Sequence, residues 1–292
     1  MRAIVNYHVT DPKNIGDMLS APARYFSFPG YSFDTADIRT IEETSLRDKH
    51  LIVGGGGLLF YRFLESFQAL ANAPKRGKLI LWGAGQQFYG AFDEQRLRSF
   101  DYSQYLNAFD QVGIRDNNSP YSWVPCVSCM HPAFDQKREI RHKFVVFSHK
   151  KFQIKIDSFP RMTNETQDIE TVLNFLGSGE TILTSSFHGA YWGTLLGRKV
   201  LAFPFSSKFH TLKHTPVLYA SDRWTQDRIR FYFFNKLIYE FRYENKYSCN
   251  LEDWQIALKQ CQIYPTALEE CRARNRWYYD QVLQLLNCSN TG

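Results

Sequence analysis

No apolar run in the 292 residues approaches the twenty needed to span a bilayer, and Met1-Arg2-Ala3-Ile4-Val5 reads as an opening strand, not as a secretory leader. A helical integral membrane protein is thereby excluded, and the chain is expected in the cytoplasm. Cysteine is sparse. Cys126, Cys129, Cys249, Cys261, Cys271 and Cys288 lack the density of a secreted disulfide framework and are read as reduced. Long basic blocks are missing too: Lys and Arg are scattered among acids, and the formal charge is only +6. That argues against nucleic acid as a partner and suits a small anionic substrate or a membrane surface equally well. Short-period repeats and low-complexity segments are absent, which removes solenoids and disordered linkers from consideration. What is present is an ordinary globular composition, 44% hydrophobic and 22% charged, with a rich 16% of aromatic residues.

The length predicts one large or two medium domains, and the alternation of elements favours two. Ala3 to His8 is a short apolar strand, followed by the polar turn Asn14-Ile15-Gly16-Asp17 and a helix over Met18 to Phe26. Leu51-Ile52-Val53 runs into Gly54-Gly55-Gly56-Gly57, after which Leu58, Leu59, Phe63, Phe67 and Leu70 recur at near-helical spacing. Leu79 to Trp82 repeats the plan with Gly83-Ala84-Gly85 as its turn, and Val112-Gly113-Ile114 ends in Arg115-Asp116. Periodicity fades between Val124 and Lys137 and restarts at Phe144 to Phe147. A second alternation then follows: helix from Asp168 to Leu176, strand from Thr181 to Thr184, helix from Gly189 to Leu196, strand from Val200 to Phe203, and amphipathic helices over Leu251 to Gln260 and Ala267 to Leu286. The expected fold class is α/β, with two Rossmann-like domains, 1–138 and 139–292, facing a cleft lined by strand ends.

Chemistry-bearing residues gather at those strand ends. The stretch from Thr184 to Gly193 closes a strand with Ser185, Ser186 and His188 and then opens a helix, whose first turn offers unpaired N–H groups to an anion. His188, with an ordinary pKa near cytosolic pH, is the candidate for general acid or base work, against the plainer reading of a structural histidine. Gly55 and Gly56 let the backbone approach a ligand closely or serve a tight turn; neither a Walker loop nor a Gly-x-Gly-x-x-Gly fingerprint is present. Arg115 offers a guanidinium fork for carboxylate or phosphate, or else a structural ion pair with Asp116. Asp17 is either a helix N-cap or a carboxylate that orients or deprotonates a sugar hydroxyl. Ser207 and Lys208 follow Pro204 at the next strand end and can supply a hydroxyl and an ammonium to a phosphate. Cys126-Val127-Ser128-Cys129 lacks the companions that zinc or a redox pair needs and is read as a loop, so no metal is expected. Phe231-Tyr232-Phe233-Phe234 with Leu237, Ile238 and Phe241 is read as buried core, with an interfacial membrane helix as the alternative.

In order and spacing, Asn14-Ile15-Gly16-Asp17, Val53 to Leu58, Trp82-Gly83-Ala84-Gly85, Gly113-Ile114-Arg115-Asp116 and Thr184 to Gly189 resemble the polysaccharide pyruvyl transferase family. The resemblance implies a fold like that of GT-B glycosyltransferases and transfer of pyruvate from phosphoenolpyruvate to a sugar as a cyclic ketal, without nicotinamide or flavin. It implies proton transfer by His188 and phosphoenolpyruvate binding by Arg115. Many members carry an arginine where Ser186 stands, so the missing anion contact is expected from Lys208 or from His149-Lys150-Lys151. Tyr191, Trp192 and Trp224 are expected to pack against the C–H face of the sugar. The implied partners are phosphoenolpyruvate and a sugar acceptor. If that acceptor is lipid-linked, peripheral contact with a membrane follows. A nucleotide-sugar glycosyltransferase on the same plan and a catalytically inactive glycan-binding protein are the competing readings.

Overall fold

The structure, a computed structural model, describes residues 2–42, 46–90, 93–166, 168–219, 224–249 and 251–288; the side chains of Arg2, Asn245 and Cys288 lie outside that description. The chain forms a mixed α/β fold with two parallel, Rossmann-like sheets. The first contains β1 (Arg2–His8), β2 (Tyr31–Asp37), β3 (Lys49–Gly54), β4 (Leu79–Ala84), β5 (Gln111–Ile114) and β6 (Ser122–Trp123), in the order β2-β1-β3-β4-β5-β6. Of the next six strands, β7 (His142–Ser148), β9 (Arg161–Thr163), β10 (Gly179–Thr184), β11 (Lys199–Ala202) and β12 (Val217–Leu218) make the second, in the order β12-β11-β10-β7-β9. The remaining one, β8 (Phe152–Gln153), instead joins a hairpin of β13 (Trp224–Phe233) and β14 (Lys236–Cys249). The helices are α1 (Ile15–Met18), α2 (Leu64–Asn72), α3 (Glu94–Arg98), α4 (Ser103–Leu106), α5 (Ile169–Gly177), α6 (Phe187–Leu195), α7 (Trp254–Ala257) and α8 (Ala267–Cys288).

The unbroken apolar character of β3 and β4 follows from burial on both faces, as parallel strands require. Leu51, Val53, Leu79 and Leu81 pack with Phe67 of α2 and Leu106 of α4, whereas Ile52, Ile80 and Trp82 point to the other side. That other side is covered by Tyr278, Val282 and Leu286 of α8. Trp82 Nε1 donates to Asn275 Oδ1 at 2.8 Å and the Tyr278 hydroxyl donates to the Leu81 carbonyl at 2.6 Å, so the chain's last helix returns to the first sheet. In the second core, Val172, Leu173 and Leu176 of α5 and Trp192 and Leu195 of α6 meet Val145, Phe147, Ile182 and Val200. Asp168 caps α5 by accepting from the backbone N–H groups of Glu170 at 3.0 Å and Thr171 at 3.2 Å.

Three local readings change. The helix expected over Met18 to Phe26 is only α1 and a separate 3-10 turn at Pro22–Arg24, because Pro22 has no N–H to continue a helix. Strand β2 was not foreseen; it is the edge strand of its sheet, half-exposed and rich in Ser, Asp and Thr, so it has no apolar run. The aromatic stripe around Phe231 is neither a helix nor buried core. It is the β13–β14 hairpin, with Phe231, Tyr232, Phe233, Phe234, Leu237 and Ile238 exposed to solvent. Its sequence alternates Arg228, Ile229, Arg230, Phe231 with period two, and Phe234 and Asn235 both take positive φ in the connecting turn, as a two-residue hairpin loop demands.

Candidate functional site

The carboxyl ends of β1, β3 and β5 and those of β7, β10 and β11 border one cleft of about 300 Å³. Asp17, Gly55, Gly56, Arg115, Ser186, His188 and Lys208 all line it, so seven of the residues singled out from sequence converge.

Arg115 follows β5 directly and is 4% exposed. Its Nε and Nη2 are buried without a hydrogen-bond partner, and its guanidinium carbon sits 4.2 Å from the centre of the Phe187 ring. The structural ion pair with Asp116 does not form. Asp116 instead accepts from Gln86 N at 2.7 Å, from the Thr211 hydroxyl at 2.7 Å and from the Tyr102 hydroxyl at 3.4 Å. A buried fork with open donors beside a cleft is suited to a planar or tetrahedral anion.

His188 lies in the first turn of α6, where Ser186 is the N-cap and accepts from Gly189 N at 3.3 Å. Its Nε2 is 3.6 Å from Cys126 Sγ, and its ring leans on Trp192 at a centroid distance of 5.0 Å. The Nδ1 edge lies against Gly16, at the spot a Cβ on that residue would occupy. Burial, followed by the charges of Arg115 and Lys208, holds the imidazole well below its usual pKa range, so His188 is neutral in the free protein at neutral pH.

Lys208 stands in the 3-10 turn Ser207–Phe209, with Nζ 5.0 Å from the Phe205 ring centre and 5.7 Å from that of Phe187. Burial and the neighbouring Arg115 lower its ammonium pKa to about 8. Asp17 is not the N-cap of α1, a position held by Asn14. Burial raises its carboxyl to about 6 against the opposing pull of Lys208 and Arg115. A relay of amides fixes it: Lys150 N donates to Asn164 Oδ1 at 2.7 Å, Asn164 Nδ2 to Asn14 Oδ1 at 3.0 Å, and Asn14 Nδ2 to Asp17 Oδ2 at 2.7 Å.

The glycine loop combines both of its readings. Gly55 and Gly56 have φ of +66° and +83°, which favours glycine, and they border the cleft; the Gly55 N–H, however, is spent on the Trp82 carbonyl at 2.8 Å and is not offered to a ligand. Ser185 and Ser207 do not reach the cleft. The Ser185 hydroxyl donates to the Phe152 carbonyl at 2.5 Å and accepts from His149 N at 2.9 Å, tying β10 to the loop after β7. The Ser207 hydroxyl accepts from Phe88 N at 3.0 Å and stitches the two halves together. The aromatic platform expected from Tyr191, Trp192 and Trp224 is elsewhere as well, because each donates its polar hydrogen inside the protein, to Cys126 O, Ser128 Oγ and Pro204 O. Phe60, Tyr89, Phe187 and Phe205 border the cleft in their place.

Several contributors were not read from sequence: Gly16 and Cys126, which pack on His188; Asn14 and Asn164, which hold Asp17; and Arg39 and Arg62, which border the cleft. His149 also borders it, kept neutral chiefly by burial and then by Lys208, Lys150 and Lys151, while Lys150 is paired with Asp11 at 2.7 Å. Of the two substitutes suggested for the missing arginine, Lys208 or the stretch His149-Lys150-Lys151, it is therefore Lys208 that faces the cleft as a cation beside Arg115. Among the described residues no three His, Cys, Asp or Glu side chains gather as a metal site.

The family model "Polysaccharide pyruvyl transferase" matches residues 5–207, a stretch that contains every candidate position except Lys208, which follows it directly. No curated protein matches the chain. A crystal structure of a functionally uncharacterized protein from Klebsiella pneumoniae subsp. pneumoniae NTUH-K2044 is similar over 70% of this chain and 83% of that one, at 18% identity and a TM-score of 0.40. With the family model spanning well over half of its length, this chain belongs to the polysaccharide pyruvyl transferase family.

Proposed function

We propose that the protein transfers pyruvate from phosphoenolpyruvate to two hydroxyls of a glycan acceptor, forming a cyclic ketal and releasing inorganic phosphate. The observation that carries this reading is Arg115, a buried guanidinium with two unpartnered nitrogens at a cleft shared with Lys208, Asp17 and His188. A donor with a carboxylate and a phosphate supplies the anionic groups such cations lack. In this reading the halves 1–138 and 139–292 are two domains in a GT-B-like arrangement, each contributing strand ends to the cleft, and the enzyme acts in the cytoplasm without a redox cofactor or metal.

In the reaction, one sugar hydroxyl adds to the central carbon of the donor while the methylene carbon takes a proton and becomes a methyl group. A second hydroxyl then displaces phosphate from the same carbon. In this reading Asp17 orients and deprotonates the attacking hydroxyl, and Arg115 and Lys208 stabilise the departing phosphate. His188 becomes a competent acid only once the donor is bound. The negative charge of the donor offsets Arg115 and Lys208, two of the three influences that keep the free imidazole neutral, and so raises its pKa.

Incubation with phosphoenolpyruvate and a panel of glycosides tests the reading: phosphate release together with a new ketal methyl resonance is expected. Absence of both, with sugar nucleotides instead raising the melting temperature, would transfer the protein to the glycosyltransferases.

The protonation states predict a bell-shaped profile. Donor kcat/KM is expected to rise as Asp17 ionises near pH 6 and to fall as Lys208 loses its proton near pH 8. Because a phosphate monoester also titrates at about pH 6, the test is Asp17→Asn. Loss of the acid limb in that variant assigns it to Asp17, and its persistence assigns it to the donor. Lys208→Arg should move the basic limb upward, since a guanidinium stays charged.

A further inference from the structure

We propose that the β13–β14 hairpin docks the protein on an anionic lipid bilayer, its aromatic tip entering the boundary between headgroups and acyl chains. The proposal is independent of the transfer reaction. Between Ile229 and Phe241 the hairpin exposes nine large apolar or aromatic side chains, and Phe233 and Phe234 at its tip are 65% and 90% exposed. A contiguous apolar surface of this kind is uncommon on a soluble protein and marks an interaction site.

The distribution along the hairpin selects the occupant. Opposed residues share a face of the ribbon. At the tip both faces are apolar: Phe231 opposes Tyr239 on one, and Tyr232 opposes Leu237 on the other. Further from the tip the second face turns cationic, with Arg228 opposite Arg242 and Arg230 opposite Glu240. Glu240 is in contact with all three of these arginines, which leaves a positive collar behind the apolar end. Over the whole hairpin, five basic side chains stand against three acidic ones. The first face stays apolar away from the tip, with Ile229 opposite Phe241, but the tip is apolar on both faces and the second face is backed by arginines. That distribution complements the layered polarity of a membrane surface with anionic headgroups; a second copy seated on the first face is the competing outcome of the test. Lys236 at the turn has a long stem that lets its ammonium reach back to the headgroups. Phe234 occupies the left-handed region at φ +45°, an uncommon conformation for a bulky side chain, and it holds an aromatic ring at the outermost point of the hairpin.

The base of the hairpin adjoins the cleft. At the hairpin base Tyr247 stacks on Phe152 at 4.8 Å, and Phe152 stacks on Phe205, a cleft residue, at 3.8 Å. Docking would bring the cleft toward a bilayer surface and any acceptor held there.

Flotation of the full chain with vesicles tests the proposal. With phosphatidylcholine containing about a third phosphatidylglycerol, the wild type is expected to float, and with phosphatidylcholine alone the bound fraction should fall severalfold. The variant Phe233→Ser/Phe234→Asn should lose at least tenfold of the partitioning with an unchanged melting temperature, because both residues are exposed and asparagine tolerates the left-handed conformation. Arg230→Gln/Arg242→Gln should weaken only the anionic component. The proposal is overturned if the wild type stays with the soluble fraction, if the tip variant floats as well as the wild type, or if neutral and anionic vesicles bind equally. It is equally overturned if light scattering shows the tip variant turning a dimer into a monomer while vesicles bind neither form.

Discussion

Arg115→Met is expected to lower donor-dependent turnover by roughly a thousandfold, the scale of losing a preorganised charge at a developing anion. The same change should leave the unfolding free energy unchanged or raise it by up to about 2 kcal/mol, because a buried charge without an ion-pair partner carries several kcal/mol of desolvation penalty. The compensations available to Arg115 in the free protein are small. Its contact with the Phe187 ring contributes about 1–2 kcal/mol, and its attraction to Asp116 acts on a carboxylate that already accepts three hydrogen bonds. Methionine is flexible, fills the volume of the arginine stem and needs no partner. Urea denaturation and phosphoenolpyruvate-dependent phosphate release on the same preparation separate the two effects. A loss of stability by about 3 kcal/mol or more would show that Arg115 serves the fold, since that is the penalty for breaking a buried pair.

Most of the sheet architecture was legible because a parallel strand buried on both faces must be apolar throughout and must end where a turn begins. Leu51-Ile52-Val53 before the glycines and Leu79 to Trp82 before Gly83 satisfy both conditions, and both are strands. Arg115, His188 and Lys208 were legible for a related reason: Arg115 follows directly on an apolar strand, and His188 and Lys208 lie in the first turn after one, so the local pattern directs them to the carboxyl edge. Side-chain direction was not legible. Ser185 and Ser186 are adjacent, yet one is bound to the Phe152 carbonyl and the other borders the cleft, a division set by packing distant in sequence. Cys126 was read as a loop residue because its relation to His188 spans 62 positions and follows no motif. The hairpin misled for a different reason. Phe231, Phe234, Ile238 and Phe241 are spaced three, four and three apart, which fits a helical face, and only the alternating arginines and the turn at Phe234-Asn235 reveal a period of two.

The most informative packing contact is the one between Gly16 and His188. A Cβ added to Gly16 would lie well inside contact distance of Nδ1 and also collide with the neighbouring ring carbons, so the imidazole occupies space that only glycine leaves open. The ring has little room to retreat, with Cys126 Sγ 3.6 Å from Nε2 and Trp192 beside it. Gly16→Ala is therefore expected to lower stability by about 1–3 kcal/mol, as overpacking of a filled interior does. It should reduce turnover at least a hundredfold, because a catalytic group displaced by about 1 Å loses that much. His188→Ala should retain the fold and remove most turnover. The decisive measurement is the double variant. With the imidazole gone the alanine methyl meets open space, so adding Gly16→Ala to His188→Ala should carry almost no further loss of stability, and the coupling between the two sites should approach the whole of the single-variant penalty. Additive stabilities would mean that Gly16 is needed for its backbone and not for the room it gives His188. That result would separate the Asn14-Ile15-Gly16-Asp17 turn from the positioning of the imidazole and leave Asp17 as its one contribution to the cleft.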